Sequence, residues 1–188
     1  LMDLLKRYRA EIERRDLLED ACQLNALARL QVLADDLEGF ERTRLSWFGR
    51  LLSKATPPNG VWLHGGVGRG KSFVMDLFFE ALTTTRKARF HFHEFMREVH
   101  RELDLHKGQE NPLDAVGSQI AKRYSILCFD EFHVSDIADA MILERLLRVV
   151  FAQHLVLVCT SNYQPSKLYP NGLHRDRILP AIALLEDS

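Results

Sequence analysis

The sequence predicts an α/β fold in which a parallel sheet is sandwiched between helices. A glycine-rich loop at 65–72 stands between a short apolar strand and a helix-like segment. A second apolar strand ends in Asp130-Glu131, and a third ends in Ser161-Asn162. Continuous apolar strands of this kind are typical of parallel sheets that helices cover on both faces. Their carboxyl ends meet at one edge of the sheet, where we expect the functional residues.

The composition is that of a globular protein with one domain and at most an appendage. The 188 residues are 46% hydrophobic and 27% charged, and 25 basic against 26 acidic side chains give a net charge of −1. No global field therefore recruits nucleic acid or an anionic membrane. No apolar run approaches the roughly 18 residues of a membrane span, and the N-terminus resembles neither a signal peptide nor a transit peptide.

The three cysteines are predicted to be buried free thiols. Cys128 and Cys159 fall within apolar strand-like runs, and Cys22 falls on a helix-like run. An odd and scattered set of cysteines argues against disulfides and against a metal site. We therefore expect a reducing compartment.

Residues 1–55 are predicted to form an N-terminal helical segment, and residues 56–188 the α/β domain. The first segment has small and apolar residues at three- and four-residue steps, which indicate a packing face. They are Leu17, Leu18, Cys22, Leu24, Leu27, Ala28, Leu30 and Leu37. Alternating charges between Lys6 and Arg15 indicate a solvated helix surface first and a docking surface second. The run from Thr56 to Gly60 breaks the helical pattern and marks the boundary.

The loop Gly-Gly-Val-Gly-Arg-Gly-Lys-Ser has the spacing of a phosphate-binding P-loop. A backbone poor in side chains can surround a phosphate chain and direct several N–H groups inward at a helix N-terminus. The predicted nucleotide-binding residues are Gly65, Gly66, Val67, Gly68, Arg69, Gly70, Lys71 and Ser72. Lys71 is predicted to reach the β- and γ-phosphates, and Ser72 to hold Mg²⁺ through its hydroxyl. A glycine-rich surface turn is the weaker alternative.

Residues 89–93 alternate like a strand, which places His91 and His93 on one face. Two histidines on one face raise a metal hypothesis. The His-Glu-x-x-His spacing is missing and no cysteine lies near, so a structural role is favoured.

Helices are predicted on both sides of the strands from their apolar periodicity and their caps. They cover 73–82, 95–105 and 136–151, and Met141 is among the core residues of the last. A further helix is predicted to begin at Asn111-Pro112 with Asn111 as its cap. An apolar helical tail follows Leu179-Pro180.

The apolar run that ends in Asp130-Glu131 is predicted to deliver two carboxylates to the carboxyl edge of the sheet. Asp130 is expected to complete the Mg²⁺ shell through water, and Glu131 to polarise the attacking water as general base. Either carboxylate alone could be a helix cap. As a pair after a strand about 60 residues downstream of a P-loop, they favour function.

Two further places are predicted to contribute polar groups to catalysis. Asn162 follows the strand next to that of Asp130, so it is predicted to bond the attacking water or the γ-phosphate, with a simple turn asparagine as the alternative. Arg175 and Arg177 suit stabilisation of γ-phosphate charge, in an oligomer as fingers supplied to a neighbouring site. Surface ion pairs with Asp176 or Glu186 are an equally weighted alternative. No Asn-Lys-x-Asp motif is present, so a GTPase is disfavoured.

Taken in this order, the motifs resemble those of the AAA+ ATPases among P-loop NTPases. The segments around them resemble the ZapE family more closely, bacterial cell-division ATPases with mitochondrial relatives called AFG1-like ATPases. The matching segments are LHGGVGRGKS at 63–72, MDLFF at 75–79, HFHEFM at 91–96, FDEFHVSDIADAMIL at 129–143, TSN at 160–162 and LYPNGLHRDR at 168–177.

The resemblance implies a five-stranded parallel sheet, hydrolysis of ATP with Mg²⁺ coupled to motion, and ring-like assembly with Arg175 or Arg177 acting in trans. It implies that Phe95-Met96 occupies the place of a substrate-contacting pore loop. It also implies that Asp20 and Gln23 help to seat the adenine, although an ordinary helix charge and a surface residue are the safer interpretation.

Four strands can be identified in the sequence, and the resemblance places a fifth strand and a small helical lid after them. Both would follow Ser188, so we expect this chain to be truncated before the last strand and the lid.

The implied partners are further copies of the chain and a protein of the division machinery, with membrane association only through such partners. The implied location is the bacterial cytoplasm, at the division site, or the mitochondrial matrix side for a eukaryotic relative. A loader or remodeller of nucleic-acid machinery is the runner-up, although the near-neutral charge argues against direct contact with nucleic acid. A nucleotide-gated scaffold without turnover is the third hypothesis, which the intact motifs disfavour.

Overall fold

A four-stranded parallel sheet lies between two layers of helices in the computed structural model, which describes residues 3–45, 56–170, 172 and 174–188. The strands are β1 Val61–His64, β2 Lys87–His91, β3 Ile126–Asp130 and β4 Val156–Ser161. Their order across the sheet is β1-β4-β3-β2, and every neighbouring pair is parallel. The predicted fold class and the four predicted strands are therefore confirmed.

The helices fall where the apolar periodicity predicts them. They are α1 Leu4–Arg14, α2 Ala21–Leu45, α3 Lys71–Ala81, α4 Phe92–Leu105, α5 Pro112–Arg123, α6 Ile137–Ala152 and α7 Leu179–Asp187, with short 3₁₀ helices at Pro165–Lys167 and Arg175–Arg177. Residues 46–55, the last part of the predicted N-terminal segment, lie outside the described residues. Within the described ranges, no helix combines the length and the apolar character that crossing a membrane requires.

The two central strands are buried along their whole length and send alternate side chains to opposite faces. One face packs against α1, α2 and α3, and the other against α4 to α7. The first set is Ile126, Cys128, Val156 and Val158, and the second is Leu127, Phe129, Leu157 and Cys159. The N-terminal helices thus share a core with the sheet, and the division at residue 55 stays a prediction.

The predicted strand at 89–93 is wrong in its second half. β2 ends at His91, which is the N-cap of α4, so His93 lies in a helix and the two histidines do not share a strand face. The ring of Phe92, the first residue of α4, stacks on that of Phe132 with centroids 3.9 Å apart. The first residue of α4 is therefore packed in the core.

Some predicted packing residues are exposed instead. Leu17 and Leu18 are 53% and 92% exposed because α1 ends at Arg14 and both lie in the connection to α2. Cys22, in the first turn of α2, is exposed and not buried as predicted. Met141 is 59% exposed on the outer side of α6.

Asn111 stands at the predicted cap position of α5, but its side chain makes no capping hydrogen bond. Its Oδ1 accepts a hydrogen bond from Arg145 Nη2 at 3.0 Å, and Arg145 also bonds both carboxylate oxygens of Asp114. The side chain therefore links α5 to α6 and leaves the helix terminus uncapped.

Candidate nucleotide site

A cavity of about 400 Å³ opens where the P-loop meets the carboxyl ends of β3 and β4. It is lined by Val67, Gly68, Arg69, Gly70, Lys71, Ser72, Phe73, Glu131, Thr160, Ser161 and Asn162. Because β1 and β3 both neighbour β4, the loop after β1 and the carboxylates after β3 lie on either side of Asn162. The topology thus brings together most of the residues that the sequence singles out.

The P-loop has an open interior and glycines where its backbone requires them. Gly68 and Gly70 have φ values of 78° and 74°, a left-handed conformation that side chains disfavour. A Cβ built at Gly65, Gly66 or Gly68 meets no heavy atom within 4 Å. The loop therefore surrounds space that a phosphate chain can enter.

Helix α2 contacts the P-loop through Gln23. Its Nε2 donates to the carbonyl oxygen of Arg69 at 3.3 Å, and a Cβ at Gly70 would lie 2.4 Å from the same nitrogen. Asp20 serves as a helix cap, because its Oδ1 accepts from the backbone N–H groups of Cys22 and Gln23 at 2.8 and 3.0 Å. The contacts of Asp20 are therefore those of an ordinary residue of the helix, as the safer interpretation holds. Gln23, by contrast, contacts the P-loop.

Lys71 is held by three neutral oxygens. Its Nζ donates to the carbonyls of Gly65 and Gly66 at 2.6 and 2.8 Å, and to Oδ1 of Asn162 at 3.3 Å. Partial burial lowers the pKa of Lys71. The contact with Asn162 places the end of β4 within reach of the P-loop lysine.

Asp130, the last residue of β3, is buried at the carboxyl end of that central strand. Its Oδ2 accepts from Arg89 Nε at 2.6 Å, and Arg89 also bonds Asp76 on α3. Within the part of the chain that the structure describes, Oδ1 of Asp130 has no hydrogen-bond partner. Burial acts to lower the pKa of Arg89, but the hydrogen bonds to the two carboxylates outweigh burial and raise that pKa.

Sequence reasoning assigned no role to Arg89. The available signal was a charged residue at an inner position of β2, a strand that alternates between polar and apolar side chains.

Glu131 has a left-handed backbone, with φ of 53°, and an exposed side chain. Its N–H donates to Oγ1 of Thr160 at 3.1 Å, and the next N–H, of Phe132, donates to the Thr160 carbonyl at 2.7 Å. Ser161 Oγ in turn donates to the Phe132 carbonyl at 2.8 Å. These bonds between the ends of β3 and β4 fix the Glu131 backbone, a function of Thr160 that its sequence position alone did not indicate.

The two arginines lie on the 3₁₀ helix at 175–177, and the described lining of the cavity includes neither of them. Arg175 donates to the Ser166 carbonyl at 2.9 Å. Arg177 is 3.8 Å from a carboxylate oxygen of Asp176, in an exposed pair. Their role as fingers for a neighbouring copy stays a prediction.

Phe95 and Met96 do not occupy an exposed loop. They are 8% and 1% exposed in α4, and the Phe95 ring lies 4.7 Å from that of Phe129 between centroids. Their expected contact with a substrate is therefore wrong, because both side chains belong to the core beneath the sheet.

The thiols of the two strand cysteines, Cys128 and Cys159, are expected to be unreactive. Burial raises the pKa of Cys128 to about 12 and that of Cys159 well above its usual value. Both strand cysteines are free and buried as predicted.

A family model described as AFG1-like ATPase matches residues 2–188 of the chain. The chain belongs to the AFG1-like ATPase family. The cell division protein ZapE of Escherichia coli strain K12 is 43% identical over 174 residues, which cover 87% of this chain and 46% of that protein. The chain thus spans about half the length of the curated relative it matches. The resemblance stated from the sequence is confirmed.

Solved structures of other proteins share the fold of this chain. AMPPCP-bound DnaA from Aquifex aeolicus is similar with a TM-score of 0.60 and 14% identity, over 92% of this chain and 47% of that one. A DnaC helicase loader is similar with a TM-score of 0.55 and 13% identity, over 90% and 88% of the two chains. These likenesses support the predicted α/β fold with a parallel sheet between helices.

Proposed function

We propose that this member of the AFG1-like ATPase family binds Mg-ATP, hydrolyses it and couples hydrolysis to action on protein partners in cell division. The proposal rests on one observation above the others. Lys71, Glu131 and Asn162 line the same cavity of about 400 Å³, although they come from three separate segments of the chain. Positioning and charge stabilisation are what phosphoryl transfer requires of a protein.

The residues present fit ATP and Mg²⁺. The open interior of the P-loop suits the phosphates, and helix α3 begins at Lys71 with its N-terminal N–H groups at the cavity. Ser72 supplies a hydroxyl, and Asp130 supplies a buried carboxylate oxygen with no partner in the described residues. When bound, Mg²⁺ neutralises charge on the β- and γ-phosphate oxygens.

Three side chains would act directly on the reacting groups. Lys71 would exchange its bonds to the Gly65 and Gly66 carbonyls for bonds to phosphate oxygens, which carry more negative charge. Glu131 would take a proton from the attacking water, which becomes the nucleophile at the γ-phosphate. Asn162, already within hydrogen-bond distance of Lys71, would orient that water or the γ-phosphate.

The partners belong to the proposal as well. ZapE is described as a cell division protein, which supports a division-machinery partner and a bacterial cytoplasmic location. The exposed Arg177 and the half-exposed Arg175 support completion of the site by a second copy of the chain.

The first test is ATP turnover across a range of protein concentrations, beside Lys71→Ala and Glu131→Gln. We expect specific activity to rise with concentration, to disappear in EDTA and to be lost in both variants, with nucleotide binding retained in Glu131→Gln. Turnover that persists in both variants would contradict the assigned site. Nucleotide binding without turnover at any concentration would favour the scaffold hypothesis.

The second test mixes two inactive proteins. Glu131→Gln keeps the arginines, and Arg177→Ala keeps the general base. If Arg177 acts in trans, the mixture recovers activity that neither protein has alone; Arg175→Ala, mixed in the same way, identifies which arginine is the finger. A mixture with no recovery for either arginine would contradict action in trans.

A further inference from the structure

Arg89 joins the two elements that would hold the metal. On β2 its guanidinium donates through Nε to Asp130 Oδ2 at 2.6 Å and through Nη1 to Asp76 Oδ1. Asp130 ends β3, and Asp76 lies on α3 four residues after Ser72, one helical turn along the same face. One side chain thus connects β3, which ends in Asp130, to α3, which begins at Lys71.

The charges explain why an arginine stands there. Asp130 is 6% exposed, and a buried carboxylate is unfavourable unless it is paired and hydrogen-bonded. Glu131 beside it and Asp76 beyond it add negative charge to the same region. The planar guanidinium presents several donors in a fixed geometry, so it can bond two carboxylates on different elements at once. A lysine ammonium is a single compact charge and would hold the pair less rigidly.

The two oxygens of Asp130 have different environments. Oδ2 is occupied by Arg89, whereas Oδ1 is buried with no hydrogen-bond partner in the described residues. Metal-binding side chains are commonly oriented by such outer partners. The ion pair leaves one defined oxygen of Asp130 free and prevents rotation of the carboxylate.

We propose that Arg89 is a positioning residue for the Mg²⁺ site, which fixes Asp130 through Oδ2 and leaves Oδ1 for the metal shell. The inference rests on the proposed function and adds a residue to it. Arg89 acts through Asp130 and touches neither nucleotide nor metal, so its loss weakens Mg²⁺ binding and spares the nucleotide contacts of the P-loop.

The test measures binding and not turnover. In a Glu131→Gln background, which blocks hydrolysis, a fluorescent ATP analogue is titrated in EDTA, and Mg²⁺ is then titrated into the nucleotide complex. Arg89→Met should leave the nucleotide Kd in EDTA within about twofold and raise the Mg²⁺ midpoint by about 10- to 100-fold, the range typical of losing an outer partner. Arg97→Met, the same substitution at an exposed position of α4, should change neither value.

Asp76→Asn is a second variant in case Arg89→Met does not fold. It removes the outer carboxylate, 52% exposed, and keeps the pair of Arg89 with Asp130, so the Mg²⁺ midpoint should rise by a smaller factor. A purely structural role would lower the melting temperature and weaken binding equally with and without Mg²⁺, and an unchanged midpoint in both variants overturns the inference. If the Glu131→Gln parent itself binds nucleotide without any Mg²⁺ dependence, the proposed function fails and the inference with it.

Discussion

The backbone of Glu131 should be strained, and the strain can be measured apart from catalysis. Its φ of 53° is a left-handed conformation that is unfavourable by about 1–2 kcal/mol for a residue with a Cβ. Glutamate has no short side chain to relieve this by a local hydrogen bond, as asparagine or aspartate has. The two bonds from the N–H groups of Glu131 and Phe132 to Thr160 hold the strained turn in place.

The perturbation is a pair of variants, Glu131→Ala and Glu131→Gly. Both remove the carboxylate and keep the backbone N–H, so their difference reports the backbone alone. Glycine relieves about 1–2 kcal/mol of strain but loses about 0.5–1 kcal/mol to the freedom of the unfolded chain. The glycine variant should therefore be more stable than the alanine variant by about 0.75 kcal/mol, the difference between the two mid-range values.

The assay is urea unfolding of both variants, beside Glu98→Ala and Glu98→Gly in the middle of α4. At Glu98, an exposed helical position, the order should reverse and alanine should be favoured by about 1 kcal/mol. Turnover should be lost in both variants at 131, with nucleotide binding retained. If alanine is favoured at 131 by as much as at 98, the turn is not strained and the reasoning fails.

Three further predictions concern the surroundings of the site. Thr160→Val should leave the Glu131 N–H unpaired, lower stability by about 1–3 kcal/mol and reduce kcat more than nucleotide affinity, by urea unfolding and steady-state kinetics. A loss of rate at limiting ATP only, with kcat and stability unchanged, would contradict it. A thiol reagent at pH 8 should modify only the exposed Cys22 in the folded protein and all three cysteines in denaturant, because burial keeps the two strand thiols protonated. Phe95→Ala should lower the free energy of unfolding by about 3–5 kcal/mol, as expected of a core residue and not of a surface loop.

Local pattern was enough for the features that depend on neighbours in the chain. The P-loop is recognisable because its glycines, lysine and serine must follow one another for the backbone to surround a phosphate. The central strands are recognisable because burial on both faces requires continuous apolar runs, as at 126–130 and 156–161. Asp130, Glu131 and Asn162 follow from those strands, since the carboxyl ends of parallel strands meet at one edge.

The features that were missed depend on which segments meet across the sheet. Arg89 pairs in register with Cys128, two residues before Asp130, so its partner is known only once β2 is placed beside β3. The resemblance placed Phe95 in a substrate-contacting loop, whereas the helical pattern over 95–105 agrees with α4, in which the side chain of Phe95 is buried. Arg89 and the wrong end of the strand predicted at 89–93 both belong to β2, an edge strand of the sheet, where polar and apolar residues alternate and burial constrains the sequence least. An edge strand can therefore carry an inward-facing charge that a central strand excludes, which is the physical reason that the positioning arginine stands on β2.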